Sequence, residues 1–425
     1  MSQIPENVYR GPLGAWWQDQ IVVDLRHADL VRERLAKVAG IAWRELEVST
    51  ALDLVLVELP GLAEAAGAFR TDPALVEAAK ASRSLAFGPD APVPDLDLVL
   101  FALRKNFSDE YEGWTPTWGK HRLLDGVAGS PYTGGGDEQP EQADAVAIPE
   151  ATGEGVRVGV LDTRLAEHPS LDGRYRAPKS AIFYGAEPYP SLAGHSMFIC
   201  GAILQEAPDA RLVVRSVLDD NGVTVSSWDV AVAMMGFLGE VEVLNMSFGC
   251  VTADHSPPLV LTRAVERLAG SMVLVAAAGN HGRLKARPDL PRFAEVTAGT
   301  PVWPAAYDEV IAVGATEDDP SAGPSASGAK ADFSPNLPWV DAAVDGVGVV
   351  STYFTGEVEL IKPDREGAVT SLGTRTFGTG FARWSGTSFA AARISGKIAR
   401  RAEEPGIDLR TARAQVVAEH RPPTK

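Results

Sequence analysis

Residues 241–280 read VEVLNMSFGCVTADHSPPLVLTRAVERLAGSMVLVAAAGN, and this stretch decides the fold class. Val241–Met246 and Met272–Ala278 are short apolar runs without strict alternation, which suits strands buried on both faces. Between them, Pro257–Leu268 carries apolar residues at helical spacing, and Ser256 ahead of Pro257 predicts a capped helix start there. Strand, helix, strand is one unit of a parallel sheet. Working outward, the same alternation continues. Val156–Leu161 reads as a strand, a helix starts at His195 and stops before Pro208, and Arg211–Val217 is a strand. An Asp219-Asp-Asn-Gly turn leads to a helix from Ser227 to Leu238, and Glu309–Gly314 is a further strand. The expectation is an α/β domain with a doubly wound, mostly parallel sheet. In such sheets reactive groups gather at the C-terminal ends of the strands.

Four polar residues fall at those strand ends or helix starts. Asp162 ends the first strand, His195 opens a helix, Asn280 ends a strand, and Ser388 enters a helix running to Glu403. Taken singly, each has a structural explanation as a turn former or cap. Taken together they supply one chemistry. A serine hydroxyl is a weak nucleophile until an imidazole takes its proton, and the imidazole needs a carboxylate to fix its tautomer. A side-chain amide and a helix-start N–H then supply donors for an oxyanion.

The blocks around these residues resemble the subtilisin-like serine proteases over residues 155–400. Val160-Leu-Asp-Thr-Arg-Leu-Ala-Glu-His-Pro-Ser-Leu resembles the family's Asp block, and Gly194-His the start of its His block. Ala207-Pro-Asp-Ala-Arg-Leu, Leu244-Asn-Met-Ser-Phe-Gly, Ala277-Ala-Gly-Asn and Gly386-Thr-Ser-Phe-Ala-Ala follow in the family's order. The resemblance implies a serine endopeptidase acting on protein or peptide substrates through an acyl-enzyme on Ser388. Asp162 and His195 would complete the triad, and Asn280 would be the oxyanion donor. It also implies that Ser247, Phe248 and Gly249 form an edge strand for an extended peptide. Ala276, Ala277, Ala278 and Gly279 would line the pocket before the scissile bond. No cofactor is required for this chemistry. Calcium sites are common in the family, but no D-x-[DN]-x-[DN]-G loop is present to assign one, and no metal ligand is predicted. The chain departs from the family pattern in three places. Arg164 replaces a Gly just after Asp162 and brings a cation near the carboxylate. Ser196-Met-Phe follows His195 in place of Gly-Thr-His, and Ala392-Arg393 replaces Pro-His.

Before this domain, residues 1–110 alternate differently. Ile21–Arg26 reads as a strand, His27–Val38 as a helix, Trp43–Val48 and Asp53–Leu59 as paired strands, Pro60–Phe69 as a helix and Asp95–Lys105 as a last strand. The order β-α-β-β-α-β predicts a small α+β, ferredoxin-like domain. By the family resemblance it would be a propeptide that covers the substrate strands as an intramolecular inhibitor; a recruiting domain is the other functional reading, and a packing domain the bland one. Residues 111–154, rich in Gly, Pro and acid around 129–143, are expected to be a flexible linker that passes the groove and is cut at 130–150. The catalytic domain then spans 155–425.

Composition narrows the partners. With 22% charged and 45% hydrophobic residues the chain is globular. Against 56 Asp+Glu stand 39 Lys+Arg, a formal charge of −17. That excess argues against nucleic acid and anionic membrane as partners; it would either steer basic peptides or serve only to keep the protein soluble. The start MSQIPENVYRGPLGAWWQDQ lacks the plan of a secretory signal, so a cytoplasmic location is expected. Cys200 and Cys250, the two cysteines, are expected to be small buried residues. Two rival readings remain. Gly194-His-Ser-Met-Phe resembles an esterase elbow with Ser196 as nucleophile, but Phe198 fills the final Gly position of that sharp turn. The other is a catalytically silent, protease-like scaffold.

Overall fold

The computed structural model describes residues 7–11, 14–82, 92–126, 139–221, 225–252, 256–284, 296–317, 328–335, 337–363 and 369–422. Its centre is a mostly parallel sheet, of eight strands among the described residues. The parallel core runs in the order Val310–Glu317, Val273–Ala277, Val243–Met246, Arg157–Asp162, Arg211–Ser216 and Tyr175–Arg176. Side chains alternate across it. Val158 and Val160 pack with the helices His195–Glu206 and Thr387–Ala402, while Leu161, Leu244 and Leu274 pack with Ser227–Met235 and Leu259–Leu268. Both faces are therefore dry, which is why these strands carry no polar alternation.

The helix expected from Pro257 begins instead at Leu259 and has no side-chain cap. Pro257 precedes Pro258, and the ring of a following proline keeps a residue out of the helical region. The Ser256 carbonyl accepts from Thr252 Oγ1 at 2.8 Å.

The N-terminal part is an antiparallel sheet with helices on one face. Two expectations are corrected there. Asp95–Lys105 is not a strand but the start of a helix, Asp95–Glu110. Leu96, Val99, Leu100, Leu103 and Phe107 share one face of it and enter the N-terminal core, while Leu98 packs behind against Ala79 and Val93. Burial on two sides produced the alternation that looked like a strand, and Asp95 and Asp97 suit a helix N-terminus. The last strand is Trp118–Gly126, inside the expected linker. It lies beside Gly14–Asp24, followed in the sheet by Leu54–Glu58 and Arg44–Ser49, every neighbour antiparallel. Residues 139–154 also depart from a free linker: Glu141–Gln142 pairs with Ala382 and Arg383. Of the expected linker, 127–138 lie outside the described residues.

The inner strands of the N-terminal sheet are buried on both faces, whereas its edge strand Arg44–Ser49 is exposed. Ile21, Val23, Val55 and Val57 face its own helices. Val22, Leu54, Leu56 and Leu124 join one continuous core with Trp228, Val260, Leu261 and Val265 from the surface helices of the large domain. Polar groups lock the seam. Asp24, fully buried, accepts from Arg263 at 2.9 Å, and Arg267 pairs with Asp53. Burial works against the Asp24 charge, but hydrogen bonds from Arg26 and Arg263 outweigh it and hold the carboxyl at about 2.

Candidate active site

Asp162 is the last residue of its strand and is fully buried. Its Oδ1 accepts from the Thr163 N–H at 2.8 Å and lies 2.7 Å from His195 Nδ1. A carboxylate acceptor makes Nδ1 the protonated nitrogen, so Nε2 carries the lone pair. The helix that starts at His195 has no cap of its own; Thr163 Oγ1 accepts from the Ser196 N–H at 3.1 Å instead. Thr163 thereby ties the strand end to the helix start. The His195 ring meets Trp384 edge-on at 5.7 Å and lies 5.6 Å from Phe389. Neither His195 Nε2 nor Ser388 Oγ has a hydrogen-bond partner among the described residues.

Ser388 is the second residue of Thr387–Ala402, where backbone N–H groups have no partner within the helix. Asn280 is oriented by its neighbour: Oδ1 accepts from Thr387 N at 2.9 Å and from Thr387 Oγ1 at 3.0 Å. That turns the amide nitrogen towards the Gly386 turn; a Cβ on Gly386 would lie 3.8 Å from Nδ2. Thr387 Oγ1 also accepts from Gly279 N at 3.2 Å. Gly279 has φ +104, which disfavours any side chain, and a Cβ there would meet the His281 ring at 2.6 Å. Burial pushes His281 down to about 4, and it sits against the Thr300 carbonyl as a neutral structural group.

The structure thus gathers Asp162, His195, Asn280 and Ser388 at one place. Ser247 and the alanines do something other than face a groove with their side chains. Ser247 Oγ is fully buried and donates to the Ser388 carbonyl at 3.3 Å, while accepting from Asn245 Nδ2 at 3.1 Å. Ser395 Oγ closes this network on Asn245 Oδ1 at 3.1 Å. Ala276 and Ala277 place their methyls in the helix layers on opposite sides of the sheet, and Ala278 is fully buried, so their part in any pocket is played by the main chain. Phe248 and Gly249 form an edge that is already paired: Phe248 stands opposite Gly126, and Gly249 opposite Asp125. The facing edge, Val225–Ser226, pairs with Leu124 and Leu123. One strand of the N-terminal part therefore runs between two edges beside Ser388, whose side chain is closed to solvent.

Arg164 does not approach the Asp162 carboxylate. Its guanidinium pairs with Asp220, with Nε donating at 2.8 Å, and lies over the Phe183 ring. Ser196, the rival nucleophile, is the second residue of the His195 helix and is fully buried. Cys200 lies behind Asp162; burial, and secondarily the Asp162 charge, push its thiol far above the usual range. Cys200 and Cys250 are both buried and form no disulfide. Among the described residues no three His, Cys, Asp or Glu side chains are placed to hold a metal ion, and no helix is long and apolar enough to cross a membrane.

Sequence reasoning missed Thr163, Thr387, Trp384 and the Val225–Ser226 edge. Thr163 and Thr387 adjoin the acid and the nucleophile, so their hydroxyls were the signal available; the two-residue edge left none.

A profile described as the Subtilase family matches residues 153–419. A thermostable alkaline protease of Halalkalibacterium halodurans is 32% identical over 47% of this chain and 50% of its own length. Subtilisin E of Bacillus subtilis is 29% identical over 47% and 49%. Subtilisin Savinase of Lederbergia lenta is 33% identical over 48% and 68%. The chain spans about half the length of the first two of these curated relatives. Among solved structures, fervidolysin from Fervidobacterium pennivorans, a keratinolytic enzyme related to subtilisin, shares the fold with a TM-score of 0.52 and 16% identity, covering 96% of this chain and 58% of that one.

Proposed function

The chain belongs to the subtilase family, and from that premise we propose that it is a serine endopeptidase whose nucleophile is Ser388. The Asp162–His195 bond at 2.7 Å, with Ser388 and Asn280 beside it, is the observation that carries the reading. His195 Nε2 takes the Ser388 proton as Oγ attacks the peptide carbonyl, and Asp162 stabilises the imidazolium that forms. Asn280 Nδ2 and the Ser388 N–H face the charge that develops on the carbonyl oxygen. His195 then returns the proton to the leaving amine, and water releases the acyl group. No step calls on a cofactor. Once the chain is cut between residues 126 and 139 and the N-terminal part removed, a fluorophosphonate probe labels the folded wild type and not Ser388→Ala; a cut, folded wild type that stays unlabelled means a silent scaffold.

The N-terminal part is read as a ferredoxin-like intramolecular inhibitor. Counting from Gly14–Asp24, its strands lie in the order fourth, first, third, second, which supports that topology. Leu123–Gly126 occupies both edges that an extended peptide would use, which supports inhibition. Leu124 is fully buried beside Val225, Trp228 and Phe248, so the substrate residue that replaces it is apolar. Among the described residues the domains are then 7–126 and 139–422, with the cut between them. Incubating the purified chain and mapping its new N-terminus tests this; full activity from an intact chain refutes it.

A further inference from the structure

Residues Gln139–Ala143 read as linker, yet they are bound at every position to the segments that lead into His195 and Ser388. Glu141 and Gln142 pair antiparallel with Arg383 and Ala382, on the edge of a strand whose other side is held by Val349–Thr352. The Ala143 N–H donates to the Phe381 carbonyl at 3.3 Å, and Thr379 Oγ1 donates to the Ala143 carbonyl at 2.6 Å. Gln142 Oε1 accepts from Gly378 N at 2.9 Å, and Arg375 donates to the Pro140 carbonyl at 2.8 Å. Gln139 bridges to the other side: Nε2 donates to Ile361 O at 3.3 Å, and Oε1 accepts from Ser191 Oγ at 3.3 Å.

Both held segments end at the candidate site. Phe381–Trp384 runs straight into the Ser385-Gly-Thr-Ser turn, and Trp384 at its end lies edge-on to the His195 ring. Ser191 opens the short turn that delivers His195, four residues on. We infer that Gln139–Ala143 is a permanent strap of the large domain: it sets the spacing of His195 and Ser388 and stays behind when the N-terminal part is cut away. The inference rests on the serine-protease reading above. The strap touches no substrate, so its residues are positioning residues, and they act on turnover more than on binding. Displacements of a fraction of an ångström at a reacting pair cost rate steeply.

The test uses the full chain with Gln142→Ala, Thr379→Val and Thr379→Ser. Active sites are counted with the fluorophosphonate probe, kcat and KM are measured on a peptide substrate, and folding is followed by thermal unfolding. The expected result is a fall in kcat per titrated site of about tenfold for Gln142→Ala and Thr379→Val. KM should stay within about twofold, and Thr379→Ser, which keeps the hydroxyl, should restore the rate. Unchanged kcat per titrated site overturns the inference, whether or not the variants unfold earlier, because a merely structural role would lower only the folded fraction. Mapping the N-terminus of the active wild type gives a second readout. A start at or before Gln139 supports the strap, and an active form that begins after Ala143 overturns it. A wild type that takes no label even after the N-terminal part is cut away and removed refutes the protease reading itself and the strap with it.

Discussion

Two buried histidines in this molecule keep opposite company. At the candidate site, His195 Nδ1 faces the Asp162 carboxylate and Nε2 carries no partner. At the seam, His121 is stacked on Trp17 at 3.9 Å, with Nδ1 on Gln20 Oε1 and Nε2 on Ser226 Oγ, each at 2.7 Å. Burial is nearly the same, so it does not separate them. Partners do. A carboxylate on one side and a vacant lone pair on the other make a proton carrier. Neutral partners on both sides hold the ring in place without balancing a charge on it, and burial drives His121 from its ordinary 6.5 to about 3.

The largest way to break the contrast is to take the charge from the site. Asp162→Asn leaves a partner of the same shape that no longer stabilises an imidazolium, and we expect kcat/KM to fall about 10⁴-fold. Steady-state kinetics against titrated sites measures it; a loss under tenfold would remove Asp162 from the mechanism. Asn280→Leu comes next, because it deletes one donor to the oxyanion while keeping the volume. The expected loss is about 10²–10³-fold in kcat, with KM little changed. A change confined to KM would make Asn280 a binding residue.

The seam responds more gently, and through pH. In the docked state His121 resists its proton down to about 3, whereas the released strand accepts it near 6.5. Docking is thus fully stable above 6.5 and loses strength as pH falls through the window between the two values. Between pH 7 and pH 5 the opening equilibrium of Trp118–Gly126 should rise about twentyfold. Hydrogen exchange, corrected for the intrinsic rate, reads it directly. Gln20→Glu sharpens the comparison, since it gives His121 the kind of partner that His195 has. The pH dependence should then flatten; an unchanged slope would assign the acid response to other groups.

The same contrast explains how much was legible. The central sheet could be read because strands such as Val273–Ala277, buried on both faces, have no polar alternation. The four site residues were found at strand ends and helix starts, where a parallel sheet gathers them. Trp118–Gly126 escaped because its middle is Lys120, His121 and Arg122, polar residues whose partners come from elsewhere in the fold. Lys120 pairs with Asp97 at 2.6 Å, His121 reaches Ser226, and the Arg122 N–H donates to Ser227 Oγ at 3.1 Å. Asp95–Glu110 was misread for the converse reason, apolar on two sides at once. Glu141–Gln142 resembled a linker because both side chains are polar and its order comes from main-chain pairing. Partners distant in sequence leave no local signal.

The smallest effect belongs to Arg164, where sequence and structure disagree most directly about the site. Read from the sequence, its cation adjoins Asp162 and would weaken the pull of that carboxylate on His195. In the structure the guanidinium is turned away, held by Asp220 and lying over Phe183. The pair is partly exposed, its side chains at 39% and 24%, so it contributes ~0–1 kcal/mol to stability. Arg164→Gly should therefore lower unfolding free energy by no more than about 1 kcal/mol. It should also leave kcat/KM within about threefold, because no hydrogen bond of the Asp162–His195 pair is touched. The acid limb of the pH–rate profile is the decisive measurement. If it stays in place, the charge of the site is set by Asp162 alone; if it moves, Arg164 reaches the carboxylate through the field, and the site shares its electrostatics with its rim.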